Sequence, residues 1–259
     1  VRLVGSEMCI RDSFRLVSFS GGGKENAIPK EAKAVVSVRS CDATTFEQSI
    51  KESAAVWMQE ISATEPHAKI ELEKTDIAAD KVLNSHSTAN VIYALWLSPD
   101  GVYKMSQEIK GMVQTSLNLG TAYLDADKLV YKYLIRSNTA AGKKLLLERV
   151  TTFVKHLSGN VVTMSDYPAW EYKSDSQLRK ICVDSFTNVY GHEPEVTSIH
   201  AGLECGILAG KMPGVDMISF GPTLESVHTP DECMDAASVE RTWEYLMEIL
   251  KSLQLNLRE

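Results

Sequence analysis

Helix and strand patterns alternate from residue 166 to the C-terminus, and no other feature of the sequence restricts the possible folds as strongly. The pattern predicts helix Ser176–Tyr190, strand Glu195–Ile199, helix Leu203–Ala209, strand Val215–Phe220 and helix Ala236–Leu253. Strands joined through helices usually pair in parallel, because the helix returns the chain to the starting edge of the sheet. The sequence therefore predicts an α/β layer with parallel pairing in this region.

Residues 14 to 165 show a different order of elements, which is typical of an α+β domain. The patterns predict strand Phe14–Phe19, a turn, strand Ala32–Ser40, a helix to about Ser62, strand Lys69–Thr75, helix Asp76–Ala89, a short helix Gly101–Lys110, strands Met112–Gly120 and Leu129–Ser137, helix Ala140–Leu157 and strand Val161–Met164. The apolar run Val91–Leu97 either extends the preceding helix or begins a turn. The Pro-aromatic stretch Asp166–Trp170 predicts a domain boundary near residue 165.

The first 13 residues are interpreted differently from the rest. They lack an initiator methionine and show no helix or strand period. They resemble translated adapter sequence, so we exclude residues 1–13 from the fold prediction as a non-native segment.

Charge and cysteine usage exclude several classes of protein. The net charge is -7 and the pI is near 5.5, and no Lys/Arg cluster suits phosphate binding, so we expect no nucleic-acid partner. No apolar run reaches the roughly 20 residues that span a bilayer, so we expect no membrane partner. Five scattered cysteines without a Cys-x-x-Cys pair argue against a disulfide framework or a thiolate zinc site. A cytoplasmic protein fits these features best.

One histidine lies in a loop that is well suited to present a functional side chain. His228 has Gly221-Pro222 before it and Thr229-Pro230-Asp231-Glu232 after it, between a predicted strand and a predicted helix. Ligands usually bind at the carboxyl ends of strands in α/β sheets, so His228 is a candidate metal ligand. The alternative is a surface histidine that caps the next helix, since one imidazole does not make a metal site.

A second candidate cleft residue is His200, which follows another predicted strand and lies one helical turn before Glu204. The alternative reading is that His200 caps a strand while Glu204 forms a surface salt bridge. Cys205 is interpreted as a packing residue rather than a nucleophile. The chain contains no G-x-S-x-G elbow, dinucleotide fingerprint, His-x-Asp or Glu-Glu, so the residues alone leave the chemistry open.

Several segments in a fixed order carry a resemblance to a known family. They are Glu25–Pro29, Thr115–Gly120, Ile135–Ser137, Ile199–Gly206, Ser219–Thr223 and His228–Glu232. From about Phe14 to the C-terminus, the chain resembles the aminoacyl-histidine dipeptidases. These are the cytosolic Xaa-His, or beta-alanyl-histidine, dipeptidases of the dizinc metallopeptidase clan.

The resemblance implies a fold and a cofactor. It implies that residues 14–165 form a lid that mediates homodimerisation and that residues 166–259 form the returning half of an α/β catalytic domain. It also implies two zinc ions in the intact protein, with His228 as the final ligand. In the implied reaction, a metal-activated water attacks the peptide carbonyl while a glutamate takes its proton.

The resemblance also assigns residues to a small dipeptide substrate. Asn26 and Arg136 match lid positions that hold the terminal carboxylate, while His200, Gly202 and Glu204 line the cleft. Arginine suits a carboxylate because its planar fork donates two parallel hydrogen bonds.

The departure from the family pattern concerns the remaining metal ligands and the general base, which belong to an N-terminal half that has no match in this chain. No residue here can therefore take those roles, and we expect the isolated chain to be inactive. The alternative hypothesis, from a different class, is a non-catalytic peptide-binding or dimerisation module.

Overall fold

Six helices and seven strands lie in the described part of the chain, which comprises residues 14–75, 81–126, 128–197, 204–227 and 229–256 of this computed structural model. In chain order they are β1 (Phe14–Gly22), β2 (Ala32–Val38), α1 (Ala43–Ile61), α2 (Ser85–Leu97), β3 (Gly101–Met105), β4 (Val113–Asp125), β5 (Lys128–Ser137), α3 (Ala140–His156), α4 (Gln177–Tyr190), α5 (Glu204–Lys211), β6 (Leu224–Glu225), β7 (Cys233–Met234) and α6 (Ala236–Asn256). None of the helices in these ranges is long and apolar enough to cross a membrane.

A five-stranded sheet is built around β4. Its order is β2-β1-β4-β3, and β5 also pairs with β4. β1 runs antiparallel to both β2 and β4, and the β1–β2 register shifts between Leu16 and Ser18. This sheet carries two of the candidate site residues, since Asn26 follows β1 and Arg136 lies in β5.

The chain divides into two compact units, and the division passes through β3, β4, β5 and α3. The first unit takes its described residues from Val1–Gly101, Leu117–Leu134 and Val150–Asn160, and the second from Val102–Ser116, Ile135–Arg149 and Val161–Glu259. Each unit is therefore built from several separate stretches of the chain, whereas the sequence predicted one domain boundary near residue 165. That boundary stays a prediction.

The core of the first unit forms where α1 and α2 contact β1. The Phe14 and Phe46 rings lie 5.3 Å apart between centroids, which joins β1 to α1. The buried Thr88 on α2 accepts a hydrogen bond from the Leu16 amide at 3.2 Å, so a polar side chain in the core is satisfied by strand backbone. Burial of Leu16, Phe46 and Val91 completes this core.

The second unit has a core between α4 and α6. Cys182 of α4 packs against Tyr245 and Ile249 of α6, and the Tyr245 hydroxyl donates to the Cys182 carbonyl at 2.9 Å. Phe186 meets Tyr245 edge-on at 5.3 Å between ring centroids. Burial raises the pKa of the Tyr245 hydroxyl, which therefore stays protonated and keeps its role as donor.

A carboxylate from the segment after α5 holds the start of α4. Asp216 accepts hydrogen bonds from the Ser176 hydroxyl at 2.7 Å and from the Leu178 amide at 3.1 Å, and Lys173 lies 3.9 Å away. Burial by itself raises the pKa of Asp216, but these hydrogen bonds and the lysine hold the pKa below its usual range. The ionised carboxylate thus stabilises the positive end of the helix.

Replacement of this carboxylate should loosen the first turn of α4. We expect Asp216→Ala to speed amide exchange in that turn about fivefold at pH 7, which corresponds to about 1 kcal/mol of lost capping. Since the folded-state pKa is lowered, this stabilisation is present above the unfolded pKa of about 4 and is lost as the pH falls through the folded value. The difference from wild type should therefore vanish in acid. Asp184→Ala, on the exposed side of α4, is the matched control, and an equal effect of both variants at pH 7 would refute the capping role.

The structure confirms the mixed α/β class and most of the predicted elements. The strands predicted at Phe14–Phe19, Met112–Gly120 and Leu129–Ser137 are present, as are all three long helices after residue 139. The apolar run Val91–Leu97 extends helix α2 rather than beginning a turn, and α2 itself begins only at Ser85. The rest of the helix predicted at Asp76–Ala89 lies partly outside the described residues.

The helix predicted at Gly101–Lys110 is wrong, because this segment begins with strand β3. Ser106 ends the strand by accepting hydrogen bonds from the Glu108 and Ile109 amides, and its own amide donates to the Met112 carbonyl at 2.8 Å. These contacts close a hairpin between β3 and β4. Pairing with β4 therefore overrides the local helical pattern.

The predicted parallel pairing is also wrong for the described residues. Lys69–Thr75, Val161–Met164 and Val215–Phe220 are not strands, and the described part of Glu195–Ile199 is not one either. The two short strands in this part of the chain, β6 and β7, are antiparallel. An extended segment becomes a strand only when a second strand hydrogen-bonds its backbone. Within the described residues, no strand pairs with these segments.

Candidate functional site

Asn26 lies at an exposed turn in the loop between β1 and β2, within the first unit. The Ala27 amide donates to the Lys24 carbonyl at 3.3 Å, which closes the turn over Glu25 and Asn26. The side-chain nitrogen of Asn118 on β4 donates to the carbonyls of Glu25 and Ala27 at 2.8 and 3.0 Å. A strand residue distant in sequence therefore contacts the backbone on both sides of Asn26.

Arg136 is the penultimate residue of β5 and is half-buried in the second unit. The strand end that carries it is fixed by three hydroxyl groups, those of Thr115, Ser137 and Thr139, which we call the hydroxyl cluster. The Thr115 and Ser137 hydroxyls lie 2.9 Å apart, and the Thr139 hydroxyl accepts from the Gly142 amide at 3.2 Å. The cluster therefore joins the end of β5 to the first turn of α3.

The hydroxyl cluster requires a glycine on the helix that faces it. A Cβ atom at Gly142 would lie 2.6 Å from both the Ser137 and the Thr115 hydroxyl oxygens. Real Cβ atoms do not approach this closely, so any side chain at position 142 would separate the helix from the strand end. Arg136 is thus presented from a tightly packed junction.

The segment Asp166–Glu171 is held on the same first turn of α3. The Glu171 carboxylate accepts from the Ala140 amide at 2.8 Å, and this places a negative charge at the positive helix end. Lys143 donates to the Asp166 carboxylate and to the Tyr167 carbonyl, both at 2.6 Å. The Pro-aromatic stretch Asp166–Trp170 is therefore attached to the helix that follows Arg136.

Glu204 is the first residue of α5 and is exposed. The glycines of this short helix lie against Pro168, since a Cβ at Gly206 would be 2.7 Å from the Pro168 carbonyl oxygen and one at Gly210 would be 2.5 Å from its ring. Cys205, one residue after Glu204, is half-buried and a free thiol. Both Glu204 and Arg136 belong to the second unit, whereas Asn26 belongs to the first.

Three candidate residues, His200, Gly202 and His228, lie outside the described residues. Position 228 falls in the chain between β6 and β7, where Leu224 pairs with Met234 and Glu225 pairs with Cys233. The Thr229 amide donates to the Ser226 carbonyl at 3.1 Å, and Asp235 begins α6 by accepting from the Ala237 amide at 2.9 Å. The cap of α6 is therefore Asp235, three residues after Glu232.

The described ranges contain no group of three or more His, Cys, Asp or Glu side chains that could hold a metal ion. These residues alone do not fit a dizinc centre, which needs several such ligands around each ion. No catalytic step through a metal follows from them.

Sequence reasoning missed Asn118 and the hydroxyl cluster as parts of this architecture. Asn118 and Thr115 lie in a segment noted only for its resemblance, Thr115–Gly120, and their contacts reach residues far away in the chain. No local periodicity could have assigned them a role.

Comparisons with known proteins give a consistent result. A sequence model of peptidase family M20/M25/M40 matches residues 20–252. The chain is 30% identical over 240 residues to the cytosol non-specific dipeptidase of Escherichia coli (strain K12), a match that covers 92% of this chain and 49% of that protein. It is similar to the crystal structure of aminoacylhistidine dipeptidase from Vibrio alginolyticus, with a TM-score of 0.85 and 30% identity, over 96% of this chain and 50% of that chain. The chain therefore spans about half the length of each of these relatives.

Proposed function

This chain belongs to peptidase family M20/M25/M40, and we propose that it is one half of a cytoplasmic zinc dipeptidase that hydrolyses Xaa-His dipeptides. The observation that carries the proposal is the similarity to an aminoacylhistidine dipeptidase, at a TM-score of 0.85 over 96% of this chain and half of that one. The relative in Escherichia coli is also a dipeptidase, although its name describes it as non-specific. The Xaa-His preference therefore needs its own test.

The proposed domain assignment follows the sequence boundary. Residues 14–165 would form a lid and residues 166–259 the second half of the catalytic domain. The coil from residue 159 to residue 175, which contains the Asp166–Glu171 segment, supports a boundary there. We also propose that the lid forms a homodimer; β2 lies at one end of the sheet order, and such an edge strand offers unpaired backbone groups to a second chain.

Arg136 and Asn26 are the residues proposed to bind the substrate's terminal carboxylate, with His200, Gly202 and Glu204 along the cleft. The tight junction at the hydroxyl cluster supports the role of Arg136, because a guanidinium selects a carboxylate well only when its backbone is held in place. The exposed turn supports the role of Asn26, since its side chain is open to a ligand.

Members of this family are generally metal-dependent, and zinc in such a site supplies an activated water. The described residues lack a metal-binding cluster. We therefore propose that His228 supplies one ligand, and that the other ligands and the general base come from the half of the relatives that this chain does not match. The chain by itself would then lack the catalytic centre.

Hydrolysis by the complete gene product tests the proposal. We expect the purified protein to release histidine from alanyl-histidine, to lose this activity on chelation and to regain it with zinc. A parallel assay on alanyl-alanine separates the two levels of the proposal: equal rates on both substrates would retain a dipeptidase and refute the Xaa-His preference. Saturable binding of the dipeptides without hydrolysis would refute the enzyme and favour a non-catalytic module.

A further inference from the structure

We propose that Asn118 is a positioning residue that fixes the loop on which Asn26 is presented. The inference rests on the proposed function in one respect, namely that Asn26 binds substrate. The loop geometry itself stands on contacts within the first unit.

One side-chain nitrogen contacts two backbone carbonyls. The Asn118 side-chain nitrogen donates to the Glu25 carbonyl at 2.8 Å and to the Ala27 carbonyl at 3.0 Å. Both partners are carbonyl oxygens, which only accept hydrogen bonds, so chemistry requires the nitrogen rather than the oxygen of the carboxamide to face them. The side chain therefore bridges the residues immediately before and after Asn26.

The backbones of the loop and of β4 also approach each other directly. A Cβ at Gly120 would lie 2.3 Å from the Lys24 carbonyl oxygen and 2.4 Å from the Glu25 Cα atom. Gly22, whose φ is +70°, has the reciprocal problem, because its Cβ would lie 2.0 Å from the Gly120 carbonyl oxygen. Gly120, two residues along β4 from Asn118, thus lets the loop rest on the strand, and Gly22 lets the end of β1 approach the same point.

The base of the loop is closed as well. The Gly22 amide donates to the Glu31 carbonyl at 3.0 Å, where β1 passes into the loop and the loop returns towards β2. The exposed side chain of Asn26 gains little packing of its own, so its placement depends on this backbone support. Asn118 supplies that support at the turn itself, which is how a supporting shell holds a binding residue in a productive geometry.

The decisive measurement is the backbone order of Asn26 by 15N relaxation on the chain itself. Asn118→Asp keeps the shape of the side chain but replaces the donating nitrogen by an oxygen that only accepts, and this oxygen repels the two carbonyls. We expect the Asn26 order parameter to fall from about 0.85 to below about 0.6. Asn90→Asp, an exposed carboxamide on α2 in the same unit, is the matched control and should leave Asn26 unchanged.

Gly120→Ala provides a second variant that displaces the loop by steric contact while Asn118 stays intact. It should also lower the Asn26 order parameter, and it keeps the test decisive if Asn118→Asp fails to fold. An unchanged order parameter in a folded Asn118→Asp variant would overturn the inference.

Kinetics of the complete protein test the consequence for substrate. We expect Asn118→Asp to raise KM for alanyl-histidine about tenfold or more while kcat changes little, since the loop binds rather than reacts. In an Asn26→Ala background, the same substitution should have no further effect, because it acts through Asn26. Additive effects would refute the positioning role. If the complete protein lacks dipeptidase activity but the order parameter still falls, the proposed function fails and the role of Asn118 stands.

Discussion

Residues 14–259, produced alone and supplied with zinc, are expected to release no histidine from alanyl-histidine above a chelated control. The described residues hold no cluster of potential metal ligands, and the chain spans about half the length of its dipeptidase relatives. Without the metal centre, the reaction should proceed at the uncatalysed rate, which is at least about 10⁶-fold slower than a typical enzyme. Histidine release followed by chromatography provides the measurement.

The comparison needs a folded sample. Near-ultraviolet circular dichroism from the buried Tyr245 and its aromatic neighbours reports whether the α4–α6 core has formed. Turnover by such a sample that chelation removes and zinc restores would contradict the prediction. It would also show that the chain holds a complete metal site of its own.

The second large effect is expected from His228→Ala in the complete protein. Removal of a residue that hydrogen-bonds a metal ligand already lowers metal affinity or activity about 10- to 100-fold. Removal of the ligand itself should therefore lower activity by more than about 100-fold. The zinc content of the variant, measured by elemental analysis, should fall together with its activity. This joint loss distinguishes a ligand from a residue that only contacts substrate.

His192→Ala is the control for His228→Ala. The His192 ring lies edge-on to Phe186 at 5.3 Å between centroids, in the exposed bend that follows α4. Its removal should leave both zinc content and activity within about twofold, as is usual for a surface substitution. A His228→Ala protein with full zinc content and wild-type activity would disprove the assignment of His228.

Local signals predicted the long helices well, because each helix start depends on residues close in sequence. Ser176 accepts from the Arg179 amide at 2.9 Å, and Asp235 caps α6, both at starts that the sequence predicted to within a residue or two. The start of α2 was missed because its cap, Asn84, lies inside the segment predicted as helix; Asn84 accepts from the Ser87 amide at 2.8 Å. The amphipathic pattern favours a helix, but the cap decides where it begins.

The strands after residue 160 could not be predicted, since a strand depends on its partner. Val161–Met164 and Val215–Phe220 have the apolar, β-branched composition of buried strands. Their backbones lack a pairing strand among the described residues, and Val162 and Met164 are 80% and 79% exposed. The pattern thus indicates that these segments favour pairing with another strand. It does not indicate which strand would pair with them.

The candidate site was predicted from the resemblance rather than from physical rules. Spacing alone did not decide whether His228 is a metal ligand or a helix-capping residue. It assigned no role to Asn26 or Arg136. The Thr115–Ser137 contact in the hydroxyl cluster joins residues 22 positions apart, and the Asn118–Glu25 contact joins residues 93 positions apart. Such long-range polar contacts become visible only in the folded chain.

The exposed apolar segment Val161–Met164 also bears on the fate of this chain in a cell. Chaperones and proteases act on short extended apolar stretches, and an abundant supply of them shortens the lifetime of a polypeptide. Val161–Met164 presents such a stretch unless a second polypeptide covers it. The amount of the isolated chain would therefore be limited by quality control, and co-synthesis with a matching half should raise its yield.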